Sequence, residues 1–322
     1  MKVYADFLTR RTTTPDHDIG TRFRKESTGV DYIYGQANGA VAAGEHCSFS
    51  RDSNKATPLF TSRRSDEMIV KAVGAAFTTL YYGWLQVVVN TKFMYENFLR
   101  GGTCHGADNT GLPITTTGAI NSLVTGNSNY FEYIMLGAGQ TILYPTWTNG
   151  SGLMIGLDAA DNEGAEWSNG ITALSRFAFI IGTDAAFHLK ARFTIADVSD
   201  IDYCLVGFRK AEAIQADPDN YDEGAWLNVN AGNIFGEAIL NGGATDKVDT
   251  TDNWADAATH TLEIKVSKTG VVTYLIDGVA PTTVPTSFTF DTGEVVVPIL
   301  YALNAAASDP TITLLGWEIG LD

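Results

Sequence analysis

The chain has 322 residues, enough for two ordinary domains, and 45% of them are hydrophobic. Only 18% are charged, while Gly reaches 32 and Thr is frequent, which excludes charge-laced helical bundles and suits short strands joined by tight turns. The net charge of −16 is uneven: residues 1–125 hold 13 Lys/Arg and 11 Asp/Glu, whereas residues 126–322 hold 8 Lys/Arg and 26 Asp/Glu, so the second part repels nucleic acid and anionic membranes.

Residues 1–29 lack periodicity. They carry Arg10, Arg11, Arg22, Arg24 and Lys25 around Pro15, and read as an extended arm rather than a helix or a strand. Tyr4, Phe7, Leu8 and Phe23 give this arm something to bury on a neighbouring subunit. The opening Met1-Lys2-Val3-Tyr4-Ala5-Asp6 has no apolar core of a signal peptide, and no run approaches the ~20 apolar residues of a membrane span. Synthesis in a reducing cytoplasm and release without export are therefore expected. Cys47, Cys104 and Cys204 are odd in number and far apart, which indicates neither a zinc ribbon nor a disulfide framework.

Residues 30–125 read as a small β domain. Strands are predicted at 30–34, 46–49, 55–59, 66–76, 81–89 and 93–99, and a polar linker at 121–129. Residues 126–322 read as a larger β-sandwich. Over 187–195 the apolar Phe187, Leu189, Ala191, Phe193 and Ile195 alternate with His188, Lys190, Arg192 and Thr194. The segment 260–266 alternates likewise, 267–270 is a hairpin turn with Gly270 in the left-handed region, and 271–276 returns to a second turn at Asp277-Gly278. Later strands fall at 295–301 and 312–319.

Carboxylates cluster twice. Asp158, Asp161, Glu163 and Glu166 read as a solvated loop, and the Glu-x-Asp-x-x-Glu strand motif that would set up glycoside hydrolysis is missing, so no catalytic residues are assigned. Asp217, Asp219 and Asp222 are hard oxygen ligands at short spacing, which suits Ca²⁺; an acidic turn is the plainer reading, and no other cofactor is implied. Trp84 and Trp317 lie in predicted strands and should pack in cores. Trp147, Trp167 and Trp254 fall in or near predicted loops, where an aromatic serves a glycan platform, a protein interface or simple packing.

Residues 260–278, ending Val272-Thr273-Tyr274-Leu275-Ile276-Asp277-Gly278, resemble the hairpin of concanavalin-like and laminin-G-like jelly rolls. Residues 30–120 resemble the small β domain of tailed-phage head decoration (cement) proteins, through Gly35, the Gly39 to Gly44 turn, Asn54-Lys55-Ala56-Thr57-Pro58-Leu59, Val73-Gly74-Ala75-Ala76 and Tyr82-Gly83-Trp84-Leu85-Gln86-Val87. The first resemblance implies an all-β chain with a jelly-roll sandwich behind a small β-barrel-like or β-tulip-like domain. The second implies a non-enzymatic protein on the outer capsid surface of a virion. Its partner would be the major capsid protein, reached through the arm arginines, and it would form homotrimers. A carbohydrate-binding adhesion module is the alternative expectation.

Overall fold

The computed structural model describes residues 12–15, 22–25, 30–37, 40–41, 46–50, 55–58, 68–72, 76, 81–87, 93–97, 105–106, 121–124, 130–136, 146–148, 152–155, 162–169, 177–285, 288–305 and 310–322. The chain is all-β and divides into two units, Met1–Thr91 and Lys92–Asp322. Among the described residues the helical content is one short 3-10 turn, Pro218–Asn220.

The first unit contains β1 (Arg22–Lys25), β2 (Val30–Ala37), β3 (His46–Ser50), β4 (Lys55–Pro58), β5 (Met68–Ala72) and β6 (Tyr82–Val87). The order β2-β4-β3-β5-β6 closes on itself, because β2 also pairs with β6 from Tyr32↔Gln86 to Gln36↔Tyr82. A closed ring leaves no long open edge within it, which is how a small sheet limits edge-to-edge association. Ile33, Ala37, Val41, Cys47, Val70 and Leu85 fill its interior. The segment expected to be a free arm is partly built into this unit. Arg22 and Arg24 lie on β1, which pairs with β2, and Thr12 bridges Tyr82. The side chains of Arg22 and Arg24, and the whole of Arg10 and Arg11, lie outside the described residues.

The second unit begins with β7 (Phe93–Asn97), β8 (His105–Gly106), β9 (Asn121–Val124), β10 (Tyr130–Leu136), β11 (Thr146–Thr148), β12 (Gly152–Ile155), β13 (Gly164–Ser168), β14 (Phe179–Ile180) and β15 (Phe187–Ile195). It continues with β16 (Ile201–Lys210), β17 (Gly224–Asn230), β18 (Asn233–Ile239), β19 (Asp246–Asn253), β20 (Thr259–Val266), β21 (Val272–Ile276), β22 (Val295–Asn304) and β23 (Ile312–Leu321). The boundary expected near residue 125 falls at 91/92: β7 pairs with β23, while β8 and β9 extend the sheet of β10.

Two antiparallel sheets form a jelly-roll-like sandwich. The larger, of ten strands, runs β19-β18-β17-β16-β22-β13-β10-β9-β8, with β14 also on β22. The other, of seven, runs β11-β12-β23-β15-β20-β21, with β7 also on β23. The inner faces share one core that includes Phe187, Leu189, Phe193, Val206, Phe208, Leu227, Ile264 and Leu300. The predicted alternation of β15 is seen: all five apolar residues are buried. The predicted hairpin is β20 and β21 in register from Leu262↔Ile276 to Val266↔Val272. Gly270 has φ +90°, and a Cβ there would lie 2.4 Å from the Phe290 carbonyl, so only glycine fits that turn.

Candidate functional site

The outward face of the larger sheet is not simply solvated. The connection 211–223 between β16 and β17 folds over it and brings Tyr221 and Ile214 onto Leu205, Trp226, Ile299, Tyr301 and Leu303, which form a second apolar cluster. The Tyr301 hydroxyl donates to the Ala216 carbonyl at 2.7 Å and ties the connection down. Gly224 permits this packing, since a Cβ there would strike the Trp226 ring at 2.0 Å.

Beneath the connection lies a closed polar network. Arg209, in β16, donates to one Glu166 oxygen from Nε at 3.0 Å and from Nη2 at 2.7 Å. The Tyr221 hydroxyl donates to the other oxygen, and the guanidinium also stacks 4.8 Å from the Tyr221 ring centroid. Both members of the ion pair are fully buried. Burial pushes the Tyr221 hydroxyl well above its ordinary value, with the Glu166 charge adding to the rise. Every polar atom of this network is engaged, so it reads as a structural clamp holding the 211–223 connection.

Farther along the same face the surface opens. Tyr203 on β16 and Phe235 on β18 are half-buried, and Lys247 on β19 reaches across them. Its Nζ is 4.4 Å from the Phe235 centroid, 5.9 Å from that of Tyr203, and 3.0 Å from Glu237 Oε1. Glu237 is buried and also accepts from Trp226 Nε1 at 2.7 Å and Asn228 Nδ2 at 2.9 Å. The exposed Asp219 accepts from the Tyr203 hydroxyl at 3.3 Å and the Thr245 hydroxyl at 2.7 Å. Half-exposed Asn230 and Asp202 lie near Tyr203 and hydrogen-bond each other. The result is an aromatic shelf with a hydrogen-bonding rim. Burial raises the Tyr203 hydroxyl above its ordinary value, and the Asp219, Asp217, Asp202 and Glu237 charges raise it further. The shelf therefore sits in a negative potential.

The residues singled out from sequence fall elsewhere. Trp167 lies in β13, not a loop, and Trp254 stacks on Phe193 at 4.6 Å; each is 2% exposed, so neither ring is an open platform. Trp147 lies on β11, and its side chain is outside the described residues. Trp317 is buried as predicted, while Trp84 lies on β6 with its side chain outside the described residues. Glu166, read as part of a solvated loop, is a buried strand residue; Asp158 and Asp161 lie outside the described residues.

Asp217, Asp219 and Asp222 do not converge for Ca²⁺. Asp217 caps the 3-10 turn through the Asp219 amide, Asp219 serves Tyr203 and Thr245, and Asp222 pairs with Lys210 at 2.8 Å. The turn points the three side chains to different partners. Among the described residues no group of three His, Cys, Asp or Glu is arranged to hold a metal ion. Cys47 and Cys204 are buried, and burial pushes the Cys204 thiol up, away from reactivity. Cys104 lies outside the described residues.

His188, on the face of β15 opposite its five alternating apolar residues, is nevertheless buried. Its Nδ1 lies 2.8 Å from Asp322 Oδ1 and its Nε2 3.1 Å from Glu318 Oε1.

No family model matches the chain, and no curated protein matches it. Solved structures resemble it at low identity. The carbohydrate recognition domain of Emp47p is 13% identical, with 59% of this chain and 88% of that one covered at a TM-score of 0.39. A protein of unknown function from Shewanella oneidensis MR-1 is 14% identical, with 73% and 90% covered at 0.39. An endo-acting O-glycanase of the human gut microbiota is 11% identical, with 71% and 99% covered at 0.42. Neither ligand nor activity passes to this chain from likenesses at that level.

Proposed function

We propose that the larger unit is a non-catalytic glycan-binding module, and that the protein works by adhesion on the outside of a particle or cell. The observation that carries this reading is the shelf of Tyr203 and Phe235, two half-buried rings on one sheet face rimmed by Asp219, Asn230, Thr245 and Lys247. Aromatic faces receive the C–H side of a sugar ring, while carboxylates, amides and hydroxyls take its hydroxyl groups. Two observations speak for binding without turnover. Two buried carboxylates on this face, Glu166 and Glu237, lie four strand spacings apart along the sheet, about 19 Å. Glycosidase pairs stand roughly 5–9.5 Å apart. Each of the two is also saturated by its own donors.

The test is a broad glycan array probed with the full chain, alongside Tyr203→Ala and Phe235→Ala. Signal on one glycan class, lowered about tenfold or more by either substitution at unchanged fold, supports the reading. Silence across neutral, acidic and amino glycans removes it.

Decoration of a phage head is the second reading. It rests on the resemblance of residues 30–120, several of whose motifs lie in the closed strand ring of the first unit. Heads lacking any decoration protein should then bind the full chain saturably, with the major capsid protein as partner and in threes. Absence of saturable binding ends that reading without touching the first.

A further inference from the structure

We infer that the shelf selects glycans bearing free ammonium groups, and that Lys247 Nζ holds the place of that ammonium in the ligand-free protein. The inference rests on the glycan-binding reading above and names its ligand class.

Two aromatic faces and a carboxylate around one position make a site for an alkylammonium group, through cation–π attraction and direct charge pairing. Here Phe235, Tyr203 and Glu237 surround such a position, and the chain's own lysine fills it. Lys247 is the least committed member: its side chain is 37% exposed, against 1% for that of Glu237. It sits on β19, the edge strand of the larger sheet, so rotations about its own side-chain bonds carry the ammonium out to water.

The identity of the incoming group then follows from Glu237. A neutral sugar that displaced Lys247 from the rings would leave a buried carboxylate without its cation, a costly state even with the Trp226 and Asn228 bonds intact. An amino sugar exchanges one ammonium for another and keeps Glu237 paired. Sulfated or carboxylated sugars meet the charges of Asp202, Asp217 and Asp219 around the shelf, and are repelled.

The decisive measurement is calorimetric titration of the full chain, in about 0.15 M salt, with β-1,4-linked glucosamine disaccharide and with its di-N-acetylated counterpart. The free amine should bind at least tenfold tighter. Lys247→Met removes the internal competitor and should tighten amine binding about fivefold or more; Lys247→Gln serves if the Met variant does not fold. Phe235→Ala should erase the preference. Equal affinity for the two sugars, weaker amine binding by the folded Lys247 variant, or a preference that survives Phe235→Ala each overturns the inference. If neutral glycans bind with no amine advantage, the inference falls while glycan binding stands. If neither disaccharide binds and the array is silent, both fall.

Discussion

Arg209 grips a single oxygen of Glu166 with two nitrogens, at 2.7 and 3.0 Å, and neither side chain touches solvent. Removing one partner strands a buried charge. Arg209→Leu or Glu166→Leu alone should cost about 3–5 kcal/mol, whereas the double replacement should recover much of that loss. Denaturant unfolding of the two single variants and the double variant gives the coupling. Additive losses would mean that the pair is not acting as a unit.

His188 should titrate far above an ordinary histidine. Burial works against its charge, but the hydrogen bonds to Asp322 and Glu318 outweigh it and raise the imidazole to about 9 from 6.5. With the folded value above the unfolded one, this group's stabilisation is complete below pH 6.5 and is lost as pH rises through about 9. NMR titration of the imidazole checks the value. Asp322→Asn should bring it down by about 1 unit or more, and an unmoved titration would sever the link.

Glu223 should push stability the same way in a lower window. Burial raises its carboxyl to about 7 from 4.5, and the Asp291 charge adds to the rise. The Asp291 amide pulls the other way but falls short of hydrogen-bond geometry; Glu294 raises the value further and Lys210 lowers it. A raised carboxyl favours the folded state while protonated, so its contribution is present below pH 4.5 and fades as pH climbs through about 7. Glu223→Gln should flatten the urea midpoint between those limits and stabilise the protein at pH 8 by on the order of 2 kcal/mol. A slope that survives the substitution belongs to another group.

Trp254 should behave as a core residue. It stacks on Phe193, meets His260 edge-on at 4.7 Å, and donates to the Ala258 carbonyl at 3.2 Å. Trp254→Ala should cost about 3–5 kcal/mol and leave ligand affinity of the folded fraction unchanged. Selective loss of binding at full stability would return it to the surface roles expected from sequence.

Strands with one apolar face were legible because their period is written locally. β15, with Phe187 through Ile195 alternating, and the hairpin through Gly270 both fell where the pattern put them. Glu166, Arg209 and Glu237 were not legible. Glu166 read as part of a solvated loop, nothing local singled out Arg209 or Glu237, and only the fold reveals that 211–223 roofs part of the outward face of their sheet. Trp167 was missed because acidic neighbours disguised a short strand as a loop. The shelf left a weak trace: Tyr203 and Phe235 both face outward on their strands, yet nothing local says that three strands bring them under one lysine.

β7 and β23 pair although Asn97 and Gly316 are roughly 220 positions apart in sequence. On a ribosome delivering about 5–20 residues per second, β7 therefore waits at least ten seconds for its partner. Such distant closure also slows refolding from denaturant, because chain entropy is lost before the contact rewards it. Through that interval the apolar Phe93-Met94-Tyr95 segment is open to association with other nascent chains, which makes expression temperature and chaperone supply the practical levers on yield.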